Sequence, residues 1–443
     1  MLITIDTLRA DAVSFAPGGP PTTPFLASLA AEGITFDRAY APSSWTAPSM
    51  ASLFTSLEPA SHGVVTGAIG HDPHGDGPVA VDQRLLPESL GTIAESFRAA
   101  GYRTVGVAAN SHLAASLGFA QGFDAYVEEA PFMGAGAVNQ HVHRLLAQEL
   151  GAEWRSAWKR TPTFLWVHYF DPHAPYDARS PWAEQNAEAA GAPDSWREVA
   201  GMPFPDLLLR YRDATDRIRA EIEPLYQSEI RWVDEHVRAL DSELGMSDPD
   251  VLVIVTSDHG EELGEHGGLG HGTHVYEEGV RVPFFIRWPS GLARGVRSDA
   301  PVTLLDVFPT LASLLELDPP GETHGIALPL DDLGRLPATR PIYLETRRSK
   351  PVKRAIVVGD DKLVLRDYRH RSMRDRRREL FDLGSDPVES RNLADARGAR
   401  ATELAMQLMR HYARLPGPPR DARSRRITDP TTVERLRQLG YGD

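Results

Sequence analysis

Short apolar runs alternate along this chain with stretches whose apolar positions recur at helical spacing. Residues 2–5, 104–109, 163–168, 250–256 and 282–287 read as strands, and the run Thr163-Phe164-Leu165-Trp166-Val167-His168 is apolar on both faces, as a central parallel strand should be. Helices are expected after Pro24 (Phe25, Leu26, Leu29 and Ala30 inward, ended by Gly33) and over 88–100 (Leu90, Ile93, Ala94 and Phe97 inward). Another is expected after Pro224, with Tyr226, Ile230, Val233, Val237 and Leu240 on one face. Such alternation predicts an α/β fold: a mostly parallel central sheet with helices on both faces. From about Pro341 the pattern changes to short strands (355–358, 362–366) and a last helix (402–412), so a small α+β unit is expected at 341–443, after a large domain at 1–340. Residues 177–215 read as a loop-like lid, and with 62–77 and 131–140 they are the expected specificity loops.

Composition narrows the class. At 443 residues, 42% hydrophobic and 24% charged, the chain is an ordinary globular protein with ample core. A net charge of −14 argues against nucleic acid or an anionic membrane as partner. The basic run from Arg366 to Arg378 reads as a solvated loop. No stretch approaches the roughly 20 apolar residues of a membrane span. The absence of cysteine excludes disulfides, thiolate metal sites and a cysteine nucleophile. No basic region or cleavage site precedes the first strand, so a cytoplasmic location is expected. Nothing in the sequence specifies an oligomeric state.

The apolar strands end in chemistry. Asp6, His168 and the Asp258-His259 pair lie at the ends of three of them, with Asn110 at the end of a fourth. Ligands of open α/β sheets bind beyond the carboxyl ends of the strands, so these residues converge at one edge. A single such Asp is usually a turn residue; several on neighbouring strands are not so readily dismissed. Asp6, Asp258 and His259 offer two carboxylates and an imidazole, a set suited to Zn²⁺ or Mn²⁺, with Mg²⁺ or Ca²⁺ also compatible. Thr46 opens an apolar-periodic helix (TAPSMASLFTSL), where it is expected as N-cap, at a helix end that favours an anion. Metal coordination is one of the few ways to activate a hydroxyl at neutral pH, which makes Thr46 a candidate metal ligand and nucleophile.

These residues sit in longer motifs: ITIDTLRAD, TPFLASLAAEGITFDRAYAPSSWTAPSMASLFTSLEPASHGV, HYFDPHAPY, SDHGEELGEHGGLGHG, YEEGVRVPFFIRWPSG and ELFDLGSDPVESRNLA. Through them the chain resembles the sulfatase family of the alkaline-phosphatase superfamily along nearly its whole length. The resemblance implies a sulfatase-like α/β fold with a small C-terminal four-stranded sheet. It puts Thr46 in the place of the nucleophile, which in true sulfatases is a formylglycine made from Cys or Ser. Asp6, Asp258 and His259 match metal positions, and His173 matches a histidine that contacts the leaving group or the transferred anion. His271 falls where many relatives place an anion-binding lysine, while His168 is expected as a supporting or substrate-side group and Asn110 as a substrate contact.

The departures carry as much meaning. Thr cannot become formylglycine. Met50 replaces an arginine that supports the nucleophile, and Thr7 replaces a further metal ligand. Relatives with a Thr nucleophile act on phosphate esters, so the expected activity is metal-dependent hydrolysis of a small anionic ester: a phosphodiester, a phosphonate or a related phosphate or sulfate ester. The alternatives are a phosphoryl-group transferase, whose known forms usually carry membrane spans, and a protein that binds such a ligand without turnover.

Overall fold

The apolar run Leu2–Ile5 becomes an inner strand of an eight-stranded sheet. A computed structural model describes residues 1–65, 67–70, 80–128, 134–212, 214–319, 321–348, 351–367 and 378–427. The strand order is Val296–Ser298, Ile34–Phe36, Phe284–Arg287, Val253–Ser257, Leu2–Ile5, Thr163–Tyr169, Arg103–Ala108, Ala125–Glu128. Only Phe284–Arg287 runs against its neighbours; the other pairings in this sheet are parallel. Register does the positioning. Ile5 lies opposite both Tyr169 and Ser257, so the next residues on two neighbouring strands, Asp6 and Asp258, leave the sheet side by side.

Both faces are covered, as the two-sided apolar strands require. The helix Thr46–Thr55 is buried at all ten positions, and Phe54 meets Trp166 edge-on at 4.8 Å. The helix expected over 88–100 spans Ile93–Ala99, because Thr92 forms a reciprocal capping box with Glu95 and leaves Leu90 outside. The helix expected after Pro224 in fact runs from Ile218 to Leu244 with Pro224 inside it. Burial of Ile218 and Ile222 and the ties of Glu221 to Tyr211 and Ser195 outweigh the one amide that proline removes. Residues 177–215 are not loop-like. They form three short helices, Trp182–Ala190, Trp196–Val199 and Phe204–Tyr211, which bury Ala183, Ala187, Trp196, Val199 and Leu207 in the core around the long helix.

Beyond residue 341, the strands Ile342–Thr346, Val352–Val358, Asp361–Asp367 and Arg378–Asp382 form an antiparallel meander. The helix Gly398–Arg414 packs Ala401, Leu404, Ala405 and Leu408 on its Ile356, Leu363, Leu365 and Leu380. Most of the basic run, 368–377, lies outside the described residues, as do 66 and 71–77 of one expected specificity loop and 131–133 of another. Among the described residues no helix is long and apolar enough to cross a membrane.

One side chain ties two of these elements together. Asp234, buried on the long helix, accepts the Phe25 and Leu26 amides at 2.9 Å each and so caps the helix Pro24–Ala30 from outside. Removing the acceptor leaves those donors without a partner, at about 1–3 kcal/mol. Asp234→Ala should therefore lower the free energy of unfolding, measured by reversible denaturation, by that amount; an unchanged unfolding free energy would contradict this reading of the contact.

Candidate active site

Strand ends supply the groups, and the turns after them aim the groups. The Asp6 amide extends the ladder to the Tyr169 carbonyl at 2.9 Å. Thr7 then adopts a left-handed φ of 53°, a conformation that costs a non-glycine residue of order 1 kcal/mol and needs outside support. That support comes from Tyr226, whose hydroxyl donates to the Thr7 carbonyl (2.8 Å) and accepts the Arg9 amide (3.0 Å). Arg9 is held in turn by Asp11, Glu265 and the Glu261 carbonyl. On the next strand Ser257 donates to the His259 carbonyl and accepts the Leu8 amide, locking the two turns to each other.

Thr46 is not the N-cap of its helix. Trp45 takes that position with extended backbone, and Thr46 is the first helical residue. Its hydroxyl is therefore spent elsewhere, 3.1 Å from His259 Nε2 and 3.5 Å from Asn110 Nδ2. Ser49, one turn on, donates to the Asp258 carbonyl at 2.5 Å and fixes the helix against the strand end.

Asp6, Asp258 and His259 are fully buried, and one ligand atom of each lies within 4.8 Å of the others. Tautomers follow from the partners. Trp166 Nε1 donates to Thr4 Oγ1 (3.0 Å), so the Thr4 hydroxyl is free to donate to His168 Nδ1 (2.8 Å). His168 Nε2–H then donates to Asp6 Oδ2 at 3.2 Å. Asn110 Nδ2 donates to the same oxygen at 2.6 Å, its orientation set by Oδ1 accepting the His112 amide. Asp6 Oδ2 thus takes two donors, while Asp6 Oδ1 and Asp258 Oδ2 make no hydrogen bond among the described residues. His259 Nδ1 faces the Gly260 carbonyl at 2.9 Å, which turns the Nε2 lone pair toward Asp258 Oδ2 (3.3 Å) and Asp6 Oδ1 (3.7 Å).

Lone pairs facing lone pairs repel unless a cation lies among them. Burial lowers the His259 pKa and disfavours a proton there. Asp258 is pushed up to about 8, by burial first and the Asp6 charge second. For Asp6, burial opposes ionisation, but the His168 hydrogen bond and the nearby imidazoles hold its carboxyl below the usual range. Two carboxylate oxygens without donors, an imidazole lone pair and a hydroxyl fit a divalent metal ion.

Around this cluster stand three more imidazoles. His173 Nδ1 meets the Ala174 carbonyl at 2.6 Å, and burial lowers its pKa to about 4. His271 Nδ1 meets Glu261 Oε1 at 2.9 Å, and its ring lies 4.5 Å from that of His259 and 4.9 Å from that of His173. His112 lies edge-on to Trp45. The structure thus brings together Asp6, Thr46, Asn110, His168, His173, Asp258, His259 and His271. His168 is enclosed between Thr4 and Asp6 rather than placed toward a ligand, and Met50 is packed in the apolar core. A second grouping, Glu262, His266 and Glu278, is paired within itself and with His274, and secures the loop that carries His271.

Two residues went unforeseen as site residues. Nothing in the sequence ties Glu261 to His271. Arg348 lies just past the strand Ile342–Thr346, and its Nη1 donates to the His271 carbonyl at 2.8 Å. No motif surrounds it; only the docking of the C-terminal sheet brings it here.

Comparisons with known proteins give the family and the fold. The family profile described as Sulfatase matches residues 1–317, and one described as N-sulphoglucosamine sulphohydrolase, C-terminal, matches 264–415. An uncharacterized sulfatase of Escherichia coli is 25% identical over 89% of this chain and 82% of its own length. A choline-sulfatase of Rhizobium meliloti is 29% identical over 53% of this chain and 47% of its own. Among solved structures, a phosphonate monoester hydrolase from Silicibacter pomeroyi superposes with TM-score 0.65 at 20% identity, covering 97% of this chain and 99% of that one. A 2-O GAG sulfatase superposes with TM-score 0.67 at 19% identity, covering 93% and 90%. At these identities the structural likeness is one of fold.

The cluster makes metal binding compete with protons. Without metal, Asp258 holds a proton below about 8, and a metal ligand must be deprotonated. Affinity for Mn²⁺ or Zn²⁺ should therefore tighten as pH rises from ~6 to ~8 and then level off, with protons released on binding. Titration calorimetry in buffers of different ionisation enthalpy measures both; a pH-independent affinity without proton release would contradict the assignment.

Proposed function

The chain belongs to the sulfatase family, and from that premise we propose that it is a metal-dependent hydrolase of phosphodiesters or phosphonate monoesters, with Thr46 as covalent nucleophile. One observation carries the reading: the Thr46 hydroxyl lies 3.1 Å from His259 Nε2, inside the buried cluster of donor-poor carboxylates. Threonine at the nucleophile position cannot supply the aldehyde hydrate of sulfate-ester chemistry.

Asp6, Asp258 and His259 would hold the cation, with Thr46 Oγ1 beside them. A bound divalent ion lowers the pKa of such a hydroxyl and offsets charge developing on the transferred group. Attack by Thr46 Oγ1 on phosphorus forms the Oγ1–P bond as the ester P–O bond breaks. The departing alkoxide takes up the proton that Thr46 Oγ1 gives up, and water then cleaves the Oγ1–P bond and restores the hydroxyl, its oxygen leaving on the acid. His173 and His271 each have Nδ1 engaged by the protein, so Nε2 is the atom at which either exchanges a proton. Asn110 and His168 orient Asp6 by filling Oδ2 and leaving Oδ1 for the metal, a positioning role in place of the substrate contact expected from sequence. The proposed division of labour keeps this chemistry in 1–340, with 341–443 closing one side.

Charge balance favours a singly charged substrate. Two carboxylates set against one divalent cation leave little net positive charge, which suits a diester or phosphonate monoester better than a dianionic phosphate monoester. A kinetic panel of aryl sulfate, phosphate monoester, phosphodiester and phosphonate esters with Mn²⁺, Zn²⁺, Mg²⁺ or Ca²⁺ tests the substrate class. The phosphodiester or phosphonate should lead; a preference for the sulfate would overturn that assignment. Thr46→Ala should lose roughly 10³-fold or more in kcat while Thr46→Ser keeps part of it. Full metal-dependent activity in the alanine variant would sink the nucleophile. Added alcohol acceptor should leave the products unchanged; alcohol-derived esters would make the enzyme a transferase.

A further inference from the structure

The C-terminal sheet reaches the site through one strand end. Within Ile342–Thr346, the Glu345 amide donates to the Pro42 carbonyl (2.9 Å) and the Thr346 hydroxyl to the Gly272 carbonyl (2.6 Å). One bond fastens the strand to the segment that leads into Thr46, the other to the loop that carries His271. Arg348 follows two residues later. Its Nη1 is anchored on the His271 carbonyl, and its guanidinium carbon lies 5.5 Å from the centre of the Trp45 ring. Gly272 makes the passage: a Cβ there would come within 2.6 Å of Arg348 Cδ, so the arginine stem crosses where a side chain is missing.

Arg348 therefore bridges the residue before Thr46 and the backbone of His271, two sides of the same cluster. A planar, always-charged fork at this position matches the geometry of a tetrahedral oxyanion.

We propose that Arg348 is an anion-binding residue of this site, its guanidinium taking a non-bridging oxygen of the ester's acid group. The C-terminal sheet thereby supplies a specificity determinant to a catalytic cluster built entirely by the preceding part of the chain. The inference rests on Thr46 marking the reaction centre.

Inorganic phosphate is the probe, with the full-length chain loaded with Mn²⁺. Calorimetry on wild type, Arg348→Gln, Arg348→Met and Arg348→Lys reads binding, and competitive inhibition of diester hydrolysis reads the same site in turnover. Arg348→Gln and Arg348→Met should weaken phosphate roughly 10-fold or more, as expected for one charge-assisted contact, with Arg348→Lys between them and wild type. In turnover the loss should fall mainly on KM, with Mn²⁺ content and thermal midpoint unchanged. Phosphate affinity within about twofold of wild type in a metal-replete Arg348→Gln or Arg348→Met protein would overturn the proposal. Should either neutral variant fold poorly, the ordering of Arg348→Lys against the other decides. The two readings fail separately: a protein that binds phosphate through Arg348 and hydrolyses no ester would sink the hydrolase and leave this inference standing.

Discussion

Two carboxylates, Asp6 and Asp258, are held side by side with no exposure to solvent, and each keeps one oxygen without a hydrogen-bond donor among the described residues. Like charges this close in a dry pocket oppose folding unless a cation or a proton offsets them. Much of the surrounding structure follows from that constraint. The parallel register of adjacent strands sets the pair, the left-handed turn at Thr7 aims one member, and Tyr226 on the long helix braces the turn. A divalent cation bound there would relieve the repulsion and stabilise the fold through its binding free energy.

The supporting groups come from distant parts of the sequence, yet they perform one job. Trp166, Thr4 and His168 pass donors in series to Asp6, and Asn110 closes the same oxygen. Gly260 and Glu261 do for His259 and His271 what Ala174 does for His173: each engages Nδ1 and leaves Nε2 for chemistry. Such wiring lowers the reorganisation needed when charge moves, because the dipoles already point where they will be used.

The fold, and the convergence of Asp6, Asp258 and His259 at one sheet edge, were legible in the sequence, since strand-sized apolar runs and their polar ends are local features. The apolar run 163–168, two-sided and followed by polar residues, appears as an inner strand as its pattern requires. Local reading failed where tertiary packing outweighed it. Pro224 looked like a helix start, but burial of Ile218 and Ile222 carries the helix through it. Alanine- and proline-rich 177–215 looked like a lid, yet its few apolar residues recur closely enough to dock three short helices. Thr46 looked like a cap because its type and place suit one; the backbone starts the helix a residue earlier than a Thr46 cap would, and the hydroxyl goes to His259. Arg348 and the Glu261–His271 pair were invisible, because loop docking and side-chain pairing leave no periodic trace.

The central claim is that Thr46 forms a covalent bond to the transferred group. The stereochemical course at phosphorus tests it most directly, using a phosphorothioate diester of known configuration hydrolysed in isotopically labelled water. Two in-line displacements, the first by Thr46 and the second by water, predict net retention. Inversion would mean that water attacks the ester itself, and would reduce Thr46 to a metal ligand.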